Sequence, residues 1–160
     1  MCLDFGVHLS IYSDGGTINL FSTIVVKSII RGDDPATNDP DVLAQVNSLG
    51  YNLIGNGIRA TGINDGTNHD QVGTDTAPKN PNLTGLADNG GPTLTMAIQN
   101  TGSLAYQKGN CGGYSGGGIL IPPVADDQRG YQRKTGCDTG AFEYQAEPIG
   151  ASSAAATKTN

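Results

Sequence analysis

The sequence predicts an all-β fold, in which coils of a parallel β-helix are followed by an irregular β-rich cap. Three observations carry that expectation. Glycine occupies 24 of 160 positions while glutamate occurs only twice, and no leucine-rich amphipathic run offers a helix. Across residues 41–55, apolar residues hold even phase at Val42, Ala44 and Val46, then odd phase at Leu49, Tyr51 and Leu53. A phase flip without a hairpin signal is what a strand bending around a corner produces. Finally, Ile24-Val25 and Leu53-Ile54 lie 29 residues apart, a spacing that suits a solenoid repeat.

Taken in order, residues 1–10 place Leu3, Phe5, Val7 and Leu9 in strand-like alternation. Residues 11–16 read as a short strand ending in a glycine turn, and residues 17–26 as a strand rich in β-branched residues. Ile18, Leu20, Ile24 and Val26 share one face of it, interrupted only by Ser22. Residues 31–40 form a polar loop in which Pro35 and Pro40 forbid regular structure. In the next coil, Asn52 beside Gly50 suits a corner where side-chain amides bond between coils. Residues 58–80 read as loop and residues 94–98 as a short strand. Gly116-Gly117-Gly118 reads as a flexible loop entering an extended Pro122-Pro123 segment. Residues 147–160 are small and polar, as a linker or disordered end would be. The domain division is therefore 1–84 for the coils, 85–145 for the cap and 146–160 for the tail.

Thirty-six per cent hydrophobic content over 160 residues is enough for one domain with a sizeable core. A net charge of −6, with nine scattered Lys and Arg, disfavours a nucleic-acid partner. No apolar run is long enough to span a membrane. The first residues lack the basic start and long apolar core of a signal peptide.

Residues 85–143 hold the most distinctive blocks: Ala87 to Thr93 (ADNGGPT), Gly102 to Asn110 (GSLAYQKGN), Asp127 to Gly130 (DQRG) and Cys137 to Glu143 (CDTGAFE). Physically they are turn chemistry. Asn89, Gly90 and Gly91 tolerate positive φ and Pro92 fixes φ, so the chain reverses there. Phe142 is one large aromatic among small residues, as an anchor would be. In order and wording, the blocks resemble the C-terminal module of bacterial right-handed parallel β-helix repeat proteins of the choice-of-anchor type. The second block departs from that pattern at Leu104, Tyr106 and Gln107, and Gln132 stands where proline is usual. The resemblance implies a right-handed β-helix, an extracellular or cell-surface parent and a chain that lacks upstream coils. Those coils of the parent are the expected partner, with a glycan or cell-surface ligand as a further one.

Related modules often carry a cysteine on each side of the Asp127-Gln128-Arg129-Gly130 block, and Cys111 and Cys137 stand there here. A bridge between them would close a loop of roughly 27 residues, worth about 3–4 kcal/mol, and would belong to an oxidising compartment. The alternative is a pair of small buried thiols, and Cys2 is left over in either case.

No catalytic set emerges. His8 and His69 form no triad by local spacing, and neither sits in a nucleophile motif. Asp33-Asp34 and Asp126-Asp127 are the acid pairs, but neighbours on a strand face opposite ways. Asp127 suits turn-amide bonding, aided by Arg129. Asp65, Asn68, Asp70 and Asp75 offer hard oxygen ligands for Ca²⁺, at a spacing that misses the EF-hand pattern; self-satisfied polar turns are the simpler account. Arg31-Gly32-Asp33 is a short match that chance supplies, and the sequon Asn82-Leu83-Thr84 matters only in a eukaryotic secretory pathway. No cofactor is expected. The functional expectation is a non-catalytic, adhesin-like structural module whose cap covers the last coil. A fragment of a polysaccharide lyase or hydrolase with active coils upstream is one rival. A glycan-binding module using Tyr12, Tyr51 or Tyr114 is the other.

Overall fold

The computed structural model describes residues 11–26 and 40–146. The strand-like 1–10 segment, His8, Arg31-Gly32-Asp33, Asp33-Asp34, Cys2 and the tail lie outside the described residues.

Strands dominate, and among the described residues the only helix is a three-residue 3-10 turn, Thr67–His69. The chain is therefore all-β. β1 (Ile11–Leu20) pairs in parallel with β3 (Val42–Ser48), and the register of Ile18 on Val46 sets the two strands 28 residues apart. A second parallel sheet runs in the order β2 (Ile24–Val25), β4 (Leu53–Ile54), β5 (Gln71–Val72), with Ile24 on Leu53 and Leu53 on Gln71. An isolated parallel bridge joins Gln45 to Thr61. The parallel strands thus fall into three tiers: β1 with β2, β3 with β4, and Thr61 with β5.

The even-phase residues Val42, Ala44 and Val46 are buried, as are Leu49 and Leu53 beyond the flip. The strand expected over 17–26 is broken. Phe21-Ser22-Thr23 form a corner with Ser22 at φ 49°, between Leu20 and Ile24. That corner rotates the chain, so Val25 rather than Ile24 joins Leu20 in the first core. Within 58–80, expected as loop, β5 is too short to leave a periodic trace.

The two-residue strands give the second sheet two working faces. Val25, Ile54 and Val72 share one register column and pack into the first core. Ile24 and Leu53 share the other column and meet Ile98, Ala105, Leu83 and Phe142 in a second cluster. In that same column Gln71 donates from Nε2 to the Leu104 carbonyl at 2.7 Å.

The remaining described strands pair antiparallel. β6 (Leu83–Ala87) pairs with β7 (Thr95–Ile98), and β8 (Tyr114–Gly116) with β9 (Ile119–Ile121). The Gly116 to Gly118 stretch is thus a hairpin turn and not a flexible loop. Gly117 and Gly118 both have positive φ (56° and 78°), which is what a two-residue hairpin with the strand-matching twist requires. The cap touches all three tiers: Ser22 at the first corner, Leu53 in the second and Gln71 in the third. It therefore lies along a side of the tiers, which differs from the expected seat over the last coil. The reason is that the outward column of the short sheet carries two aliphatic side chains that need cover, Ile24 and Leu53, while Gln71 gives that side a hydrogen-bond donor.

Candidate functional site

The densest polar chemistry lies where the Asp127 turn, the Ala87 to Thr93 turn and the Cys137 to Glu143 segment meet. Asp127 opens a tight turn closed by the Gly130 N–H on its carbonyl at 2.9 Å. Its Oδ1 accepts the backbone N–H groups of Arg129 (2.8 Å) and Tyr131 (3.1 Å). Its Oδ2 accepts Arg129 Nε (2.9 Å), Arg129 Nη2 (2.6 Å) and the Glu143 N–H (3.0 Å). Burial pushes this carboxyl up, but the guanidinium and the three backbone donors outweigh it and hold its pKa below the ordinary value.

Arg129 does more than pair. Its guanidinium lies 3.7 Å from the Phe142 ring centroid and 4.2 Å from that of Tyr131, and Nη2 reaches the Glu143 carbonyl at 2.8 Å. A planar cation between two rings, with its edge filled by a carboxylate, is a use of arginine that lysine cannot copy. Gly90 and Gly91 make this possible from the other turn. Their φ values are 88° and 82°, and a Cβ on Gly91 would stand 2.5 Å from Arg129 Cα. Asn89 holds that turn by donating from Nδ2 to the Thr95 carbonyl at 2.8 Å.

A second buried network was not read from the sequence. Glu143 Oε2 accepts Arg133 Nη1 (3.1 Å) and the Asp138 N–H (3.0 Å). Asp138 in turn accepts the N–H groups of Gln107 (2.7 Å) and Tyr144 (2.6 Å). Burial raises both carboxyls against the bonds that favour their charged forms, and the Asp138 charge lifts Glu143 further. Paired carboxyls with raised pKa can mark acid–base chemistry. Here Asp138 is 1% and Glu143 2% exposed, and their partners are backbone amides and the Arg133 guanidinium. Arg133 stands three residues after Gly130, beside Gln132, and its position in the sequence does not mark its partners.

The calcium candidates are not brought together. Asp70 turns inward, where Oδ1 accepts the N–H (2.9 Å) and Nδ2 (3.0 Å) of Asn52. Asp65 accepts the Val72 N–H at 2.9 Å and pairs with Lys79 at 3.1 Å, while Asp75 bonds the following N–H of Thr76. Asn68 contributes its carbonyl to Tyr51 N–H at 3.0 Å. Among the described residues, no group of three His, Cys, Asp or Glu side chains is placed to hold a metal. Each carboxylate is taken by a tier corner or a loop closure. The weak Ca²⁺ candidates Asp65, Asn68, Asp70 and Asp75 are thus each engaged separately.

Asn52 is the corner residue the sequence suggested, and its partners span the tiers. It accepts the Thr23 N–H at 3.1 Å and donates to the Leu20 carbonyl at 3.1 Å and to Asp70. The tyrosines raised as glycan contacts mostly have intramolecular partners. Tyr51 stacks on His69 at 4.5 Å, and Tyr114 tilts against Phe21 at 6.1 Å. Tyr12 is exposed. Asp126 bridges Gln132 through the backbone, while Asp127 is buried, so that acid pair does not face one substrate. Cys111 and Cys137 form a disulfide with Cα atoms 6.2 Å apart. Among the described residues, no helix is long and apolar enough to cross a membrane.

Compared with known proteins, the chain matches no family model, no curated protein and no solved structure.

Proposed function

We propose that this chain is a non-catalytic structural module: coils of a right-handed parallel β-helix, with a cap, in an extracellular or cell-surface repeat protein of the choice-of-anchor type. The observation that carries the reading is the outward column Ile24, Leu53, Gln71, one residue from each tier, met along its length by the cap. A fold built to present a reaction centre leaves polar groups accessible. Here Asp127, Arg129, Arg133, Asp138 and Glu143 have buried side chains that are spent on backbone groups and on each other, while Asp88, Lys108 and Lys134 stay exposed. The disulfide supports an oxidising compartment. Further coils of the parent would be its partner, and any glycan or surface ligand would belong to coil faces.

Deleting residues 85–146 tests the role of the cap. Amide exchange should then accelerate by at least about 100-fold at Leu53 and Gln71, because their column loses its cover. Unchanged protection in the truncated chain would sink the structural reading of the cap.

A further inference from the structure

A groove of about 660 Å³ opens beside β2. One wall is the continuous run of residues 22–26, and the others are the β6–β7 hairpin and residues 139–142. The unbroken run is informative. Successive strand residues face opposite ways, so a groove on the sheet's face would meet every second residue. Val25, whose side chain packs into the first core, lines the groove together with Ile24. The groove therefore follows the edge of β2, which among the described residues pairs only with β4. Its far wall holds Leu86, Leu94 and Met96, which are 64, 53 and 40% exposed, and no charged side chain lines it. Thr139, 1% exposed with a hydroxyl that lacks a hydrogen-bond partner among the described residues, stands in the same lining.

We infer that this groove seats one further parallel strand, contributed by another coil of the same kind, which adds to the edge of β2 and sets an aliphatic side chain in the Ile24–Leu53–Gln71 column. The continuity of that ladder identifies the occupant. Each tier places one residue of the column against the cap, and the apolar hairpin wall lines the groove together with Ile24. A strand edge beside an apolar wall is the arrangement by which extended segments add to sheets: main-chain bonds hold the strand and alternate side chains fill the pocket. The uncharged lining selects an apolar, uncharged strand. This deepens the proposed function and rests on its tiered reading.

The test uses the full chain labelled with ¹⁵N and a synthetic peptide copying residues 48–55. That sequence already accepts a parallel neighbour on both edges of β4. At about 1 mM peptide, the Ile24 amide should exchange about tenfold more slowly, with shifts at Leu86 and Met96 that Met96→Glu abolishes. No response at Ile24, or an equal response to a scrambled peptide, overturns the inference. So do groove signals that change with protein concentration in the absence of peptide, which would make the occupant a second copy. A gain of groove exposure on removing residues 1–10 would make the occupant the chain's own segment, and overturns it as well. Leu53 and Gln71 amides in the same spectra separate the two levels. If they exchange freely, the tiered reading fails; if they are protected while Ile24 ignores the peptide, only the groove inference fails.

Discussion

Two N–H donors at Oδ1 and three at Oδ2 make the Asp127 carboxylate the most heavily committed acceptor described here. Because its folded pKa lies below the ordinary 3.8, the stability it contributes is present above that value and is lost as pH falls through the folded one. Asp138 and Glu143 act with the opposite sign. Their folded values are raised above 3.8 and 4.5, so their protonated forms favour the fold, and stability declines as pH rises through the raised values. The melting temperature should therefore pass through a maximum in mild acid. Asp127→Asn should flatten the acid limb and Asp138→Asn the limb toward neutrality, as thermal melts across pH will show. Arg129→Ala leaves a buried carboxylate without its cation and strips two rings of their cover. It should cost about 3–5 kcal/mol in denaturant unfolding, and a cost under about 1 kcal/mol would contradict the geometry.

At the scale of elements, the corners decide how the tiers stack. Asn52→Ala removes the acceptor of the Thr23 N–H and the donor to Leu20, and should destabilise by about 1–3 kcal/mol. Urea titration measures this, with faster Thr23 exchange as the local signature. The alternation Val42, Ala44, Val46 and the corner asparagine were legible because burial on one strand face leaves a period of two. The first corner was not, since Ser22 at positive φ has none of the glycine or asparagine signal that marks such a turn. The β8–β9 hairpin carried its signal in Gly117-Gly118, but a third glycine and two prolines downstream argued for irregular chain. Glu143, Asp138 and Arg133 were illegible for another reason. Their partners lie on separate turns, and spacing along the chain carries no trace of that.

For the whole molecule, the sequence blocks marked residues 85–143 as distinctive without fixing where they dock. The docking surface is a column of residues drawn one per tier, visible only once the register is known. The Cys111–Cys137 bridge ties the segment before the β8–β9 hairpin to the segment that carries Asp138 and Glu143. Reduction should lower unfolding free energy by about 3 kcal/mol on the chain-entropy account. Non-reducing mass mapping should recover Cys111 joined to Cys137 and Cys2 as a free thiol. Both cap thiols alkylatable in the folded, air-oxidised protein would refute the pairing.

The contact between the cap and the first corner reaches further than its bond count suggests. Asn110 N–H meets Ser22 Oγ at 3.1 Å across 88 residues of sequence, and the Gly140 N–H meets the Ser22 carbonyl at 3.1 Å. In an ordinary repeat array each unit speaks only to its neighbours, so domains can melt from one end and stability is close to a sum of local terms. Here the last third of the chain is stitched to the first tier. Loss of any one tier deprives the cap of part of its seat, and loss of the cap uncovers every tier together. Such wiring turns an array into one cooperative unit. It also defers completion: while the chain is being made from its N-terminus, the early tiers wait for residues 110 and 140 before their outward column is covered.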